Sequence, residues 1–102
     1  MSQEDPVRFH VDPKDSVLVA SIRPAVLSFA LEMEYILRGY DFKGGWEGCG
    51  TSWLCARIQD NIIDLQEAQM AGNKDDVRKA AIDVANYAMM IVDNNLKKEN
   101  ER

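Results

Sequence analysis

The chain has 102 residues, 46% of them hydrophobic and 28% charged, which are the proportions of one folded globular domain rather than of a disordered segment. Its net charge of −5 argues against a nucleic-acid polymer as main partner, because a phosphate backbone calls for clustered Lys and Arg. The most apolar stretch, "SVLVASIRPAVLSFALEMEYIL", is broken by Arg23, Glu32 and Glu34, and no basic signal segment opens the chain, so no membrane partner is expected and the protein should remain in the cytoplasm.

Residues 1–20 contain two of the three prolines and several acids, and read as an N-terminal arm with one short extended segment at "VRFHV". His10 belongs to no constellation of candidate ligands. From Ser21 the pattern changes. Ser21 can cap a helix, Pro24 suits its first turn, and Val26, Leu27, Ala30, Leu31, Met33, Ile36 and Leu37 carry an apolar series to Gly39, predicting a first helix over about 22–38.

"GYDFKGGWEGCGTS" holds five of the six glycines beside Tyr40, Phe42 and Trp46, and reads as a shaped loop. Its Lys43 could meet a phosphate, and Trp46 could stack on a base or close the core. The two cysteines, Cys49 and Cys55, are expected to be free thiols, since no second pair and no nearby His completes a zinc site.

A second helix is predicted from Thr51 or Ser52 to about Met70, with Leu54, Ile58, Ile62 and Leu65 as its apolar stripe and Gly72 as its stop. Asn73 caps a third helix, with Asp75 and Asp76 in the first turn, where the helix dipole favours negative charge. The short turn implies an antiparallel hairpin. In the third helix Val77, Ala81, Ala85, Ala88, Met89 and Val92 are expected to face the core. Asp83, Asn86, Tyr87, Met90 and Asn94 fall on the other side. Residues 21–96 thus form the helical domain, and 97–102 a charged tail that frays.

Within the second helix, Asp60, Asp64 and Glu67 fall inside an arc of roughly 60°. Such a stripe is either a solvated helix face or an oxygen-rich half-site for a hard divalent cation. Asp83 stands in an otherwise almost uncharged segment and could face those acids across the hairpin. Glu32 and Glu34 point about 160° apart, so at most one of them faces a shared site.

"EMEYILRGYDFKGGW", "LCARIQDNIIDLQEA" and "DVANYAMMIVDN" together resemble the MazG-like all-α nucleotide pyrophosphohydrolases, in their short single-domain form, over about residues 24–95. The resemblance implies an all-α helical bundle completed by oligomerisation into a dimer or tetramer. It also implies Mg²⁺, with Mn²⁺ as a substitute, and cleavage of a nucleoside triphosphate to the monophosphate and pyrophosphate. The family's E-E-x-x-E pattern falls on Asp60, Asn61 and Asp64, with Glu67 following, and its E-x-x-D pattern on Ala80 and Asp83. The resemblance therefore implies Asp60, Asp64 and Asp83 as catalytic metal ligands with Glu67 beside them. It implies Lys43, Trp46, Asn86, Tyr87 and Glu34 as substrate contacts. Asn61 and Ala80 stand where the pattern has carboxylates, which should weaken Mg²⁺ binding. A catalytically weakened nucleotide-binding or oligomerisation protein is the alternative reading.

Overall fold

The computed structural model describes residues 12, 14–41 and 44–100, residues 99 and 100 through their backbone only. The expected "VRFHV" segment, Phe42 and Lys43 lie outside the described residues. Among those described, every regular element is an α-helix: α1 (Ser16–Ala20), α2 (Pro24–Arg38), α3 (Thr51–Ala71) and α4 (Lys74–Asn100). None is long and apolar enough to cross a membrane.

The short α1 is not legible in the sequence, because two valines in five residues give it little intrinsic helicity. Its ends are fixed by side chains. Asp15 Oδ1 accepts from the Leu18 amide at 3.0 Å, and Ser21 Oγ donates to the carbonyls of Val17 and Leu18. Ser21 therefore closes α1 and does not cap α2, which corrects the expected start of that helix. Arg23 occupies the α2 N-cap without a side-chain bond. Pro24 starts the helix instead, through its fixed φ and its lack of an amide that would need a partner.

α3 and α4 have the expected limits to within a residue or two at their junction. Gly72 sits at φ 71° in the left-handed region, and the Asn73 amide donates back to the Ala68 carbonyl at 3.0 Å, closing α3 in a Schellman-type turn. Asn73 then caps α4 reciprocally. Its Oδ1 accepts from the Asp76 amide at 3.1 Å, while its Nδ2 donates to Asp76 Oδ2 at 2.8 Å. α4 continues to Asn100, into the charged tail, with Lys97 and Lys98 in its last turn, where cations oppose the negative end of the dipole.

The α3–α4 hairpin holds most of the tertiary contacts, and α2 rests on α4 more lightly. Leu54 is fully buried and Ala68 nearly so, with Ile58 and Leu65 half-buried between them. The α3 stripe thus runs 54, 58, 61, 65, 68 and passes through Asn61, whereas Ile62, expected within it, is exposed. On α4 the buried positions are Ala80, Ile82, Asn86, Met90 and Asn94.

The inward face is therefore turned from the expected one. Asn86, Met90 and Asn94 point in, while Ala88 and Val92 point out. The reason is hydrogen bonding. Asn86 Nδ2 donates to the Met33 carbonyl of α2 at 3.3 Å, and Asn94 Nδ2 to the carbonyls of Trp46 and Cys49 at 3.1 and 3.3 Å. A reading of polarity alone sends asparagines outward; here they fasten two other segments to the hairpin.

Two substitutions test this account by urea denaturation monitored through helical circular dichroism. Leu54→Ala should cost about 2–5 kcal/mol, because α3 and α4 cannot close fully over the space left. Gly72→Ala should cost about 1–2 kcal/mol, because a Cβ disfavours the left-handed conformation.

Candidate functional site

The hairpin turn sets α3 and α4 side by side, and an open groove of about 380 Å³ runs along their seam. Asp64 and Glu67 border it from α3, Asp76 and Asp83 from α4, with Asn61 and Lys79 between and Ala80 leaving room. Four carboxylates face one ammonium, so the groove is strongly negative. Asp83 Oδ2 accepts from Lys79 Nζ at 3.1 Å. That hydrogen bond, reinforced by the charge of Asp83, raises the Lys79 pKa.

The expected metal ligands divide. Asp64, Glu67 and Asp83 share the groove; Asp60 does not line it. Asp60 pairs instead with Arg57 at 3.0 Å, its side chain 58% exposed. Asn61, half-buried in the α3 stripe, donates its Nδ2 to the Arg57 carbonyl at 2.8 Å. Among the described residues, no three His, Cys, Asp or Glu side chains come together closely enough to hold a metal ion. The donors still suit Mg²⁺ in kind, since it commonly takes only one or two protein carboxylates and completes its shell with water and substrate phosphate. Asp64, Glu67 and Asp83 are the groups that would meet such a metal–phosphate complex.

A second cavity, of about 220 Å³, opens on the other side of Asp83. Its walls include Tyr40, Trp46, Trp53 and Tyr87 together with Asn86 and Met90. Trp53 and Tyr87 meet edge to face, with centroids 6.2 Å apart and planes at 89°, a geometry that aromatic quadrupoles favour. Burial, and then the nearby Asp83 charge, raises the Tyr87 pKa, so at neutral pH its phenol stays uncharged and able to donate or accept. Sequence reasoning singled out Trp46 and Tyr87 but missed Trp53. Its signal was a large aromatic ring in the first turn after the glycine-rich loop.

Trp46 is held firmly. Its Nε1 donates to Asp93 Oδ2 at 3.0 Å, and Lys97 Nζ lies 5.8 Å from its ring centroid, within cation–π range. Lys97 also bridges Asp93 at 2.8 Å and Glu47 at 3.2 Å. These contacts tie the loop, and with it the cavity wall at Trp46, to the last turns of α4. Glu34 lies in neither cavity and pairs with Arg38 at 3.0 Å; Glu32 reaches Arg78 at 3.5 Å. Cys49 and Cys55 are both free thiols.

No protein-family model, no curated protein and no solved structure matches this chain.

The loop tether carries a pH dependence. Hydrogen bonds from Lys97 and then Trp46 hold the Asp93 carboxyl below the ordinary aspartate value. A carboxyl with a depressed folded pKa stabilises the fold while ionised; that contribution is present above the unfolded value and lost as pH falls through the folded one. Acidification should therefore release the indole, read as a change in Trp46 fluorescence in a Trp53→Phe background. Asp93→Asn should flatten that acid transition.

Proposed function

We propose that this protein is a nucleoside triphosphate pyrophosphohydrolase of MazG-like type, a helical bundle acting as a homo-oligomer and dependent on Mg²⁺, for which Mn²⁺ can substitute. The observation that carries the reading is the position of Asp83, which forms a wall of both the acidic groove and the aromatic cavity. A nucleotide has the same two-part chemistry. Its base suits a cavity walled by Trp53, Tyr87, Tyr40 and Trp46, and its phosphates suit an oxygen-lined groove in the presence of a divalent cation.

In this reading water attacks the α-phosphorus, and the bond from that phosphorus to the oxygen bridging to the β-phosphate breaks, leaving nucleoside monophosphate and pyrophosphate. Mg²⁺, when bound, would supply the positive charge that offsets the phosphates and the leaving group. The chain's own residues hold and orient. The aromatic walls fix the base, Lys79 offers a phosphate contact, and a groove carboxylate orients the water and takes up its proton. Proximity of this kind needs a fixed scaffold, which the capped hairpin provides.

Oligomerisation is part of the proposal. α2 has no buried residue, and Val26, Leu31 and Tyr35 are 56%, 61% and 77% exposed. A helix with that much apolar surface exposed is relieved by a partner subunit. Sedimentation should give a mass of two or four times 11.5 kDa.

The second reading, a nucleotide-binding protein with little turnover, is favoured by the Lys79–Asp83 pair and by the lack of three converging acids among the described residues. Incubation with each (d)NTP and Mg²⁺ or Mn²⁺ separates the two. Pyrophosphate release supports the hydrolase; tight nucleotide binding without release supports the second reading. In an active protein, Asp83→Asn should lower kcat by at least about a hundredfold with helical content unchanged. Retained activity in that variant would remove Asp83 from the chemistry.

A further inference from the structure

We propose that the aromatic cavity selects bases that carry a positive charge, as ring-nitrogen-methylated purines and pyrimidines do, over neutral ones. The inference rests on the nucleotide reading above and deepens it to a substrate class.

Tyr40, Trp46, Trp53 and Tyr87 give the cavity its aromatic walls, and its charged walls, Asp41 and Asp83, are both acids. Among the described residues no Lys, Arg or His lines it. Aromatic faces are negative at their centres and attract an organic cation within about 6 Å, more strongly once it is desolvated. A carboxylate beside them adds to that attraction, and loses hydration for no return against a neutral base. Burial first, and the Asp83 charge second, raises the Tyr87 pKa, so the field of Asp83 reaches the cavity wall.

The cations near these walls each have their own acid. Lys79 pairs with Asp83 from the groove, Arg57 with Asp60, and Lys97, lying over Trp46, with both Asp93 and Glu47. Asp41 adds a charge that none of these offsets, so the surroundings of the cavity stay negative.

The ring geometry suits a charged base. The planes of Trp53 and Tyr87 stand at 89°, so a flat base stacked on one of them turns its edge toward the other. In a ring-methylated base the positive charge is spread over ring and edge, and that edge then meets a π face. A neutral base gains the stacking alone. At about 220 Å³ the cavity lies below the usual range for a whole ligand, so it suits the base and leaves sugar and phosphates outside.

The test compares isomers that differ in charge and not in composition. Binding of 1-methyladenosine, a cation at neutral pH, is set against neutral N6-methyladenosine, and cationic 3-methylcytidine against neutral 5-methylcytidine, by calorimetry on the full-length chain. Each cation should bind about tenfold or more tighter than its isomer. Asp41 and Trp53 are both exposed, so Asp41→Asn and Trp53→Leu leave the hairpin core intact, and each should shrink both ratios severalfold. The wild-type ratios and Asp41→Asn decide even if Trp53→Leu fails to fold. Equal affinities, tighter binding of the neutral isomers, no binding of any nucleoside, or wild-type ratios in both variants overturns the proposal. Pyrophosphate release from unmodified triphosphates beside equal nucleoside affinities overturns it and leaves the hydrolase reading intact. Cation-selective binding without pyrophosphate release from any triphosphate, the ring-methylated ones included, supports it and removes the hydrolase reading instead.

Discussion

Everything in this molecule hangs on the antiparallel pairing of α3 and α4, and that pairing hangs on a turn of two residues. Gly72 reverses the chain because it alone accepts the left-handed conformation without penalty. Asn73 then starts the next helix by exchanging hydrogen bonds with Asp76. The two helices can slide or rotate only within the limits this turn sets, so the acids on their facing edges have a defined relation. Both cavities are consequences of that relation: the groove is the seam itself, and the aromatic cavity is the seam's upper end covered by α2 and the loop.

The electrostatics of the two cavities are complementary. Among the described residues the groove sets four carboxylates against one ammonium, Lys79, and the cavity beside it is walled mainly by aromatic and apolar side chains together with Asp41 and Asp83. A purely anionic ligand would be repelled by the first, and a purely apolar one would leave it unused. The pair suits a ligand with an aromatic end and a cation-carrying end. Asp83 stands at the junction with its carboxylate already engaged by Lys79, so an incoming cation must compete with an ammonium.

The helices were legible in the sequence where local chemistry marks them. Pro24, Gly72 and Asn73 identify their ends, and the acids at 64, 67 and 83 fall on one groove as periodicity and hairpin geometry imply. What escaped was non-local. The inward turn of α4 depends on Asn86 and Asn94 finding carbonyls on α2 and on the loop, partners more than forty positions away that no window of sequence contains. Asn61 has the opposite lesson. Read as an absent ligand, it is also a stripe residue whose amide bonds the turn before it, so its neutral side chain suits a half-buried place. Asp60 shares the face of Asp64 and Glu67 but pairs with Arg57 and does not line the groove.

The division between a well-packed hairpin and a lightly held α2 also sets an order of events. Contacts across a two-residue turn are close in sequence, so closing them costs little chain entropy and they can form early. Attachment of α2 and the glycine-rich loop joins distant segments through a few carboxamide bonds and must follow. In the folded protein the same hierarchy runs backwards. α2 and the loop have less to lose on opening than the hairpin, so their hydrogen bonds open more readily than those at the centre of α3 and α4. The aromatic cavity, roofed by the part that opens more readily, is thus the less durable of the two, and the acidic seam along the hairpin outlasts it.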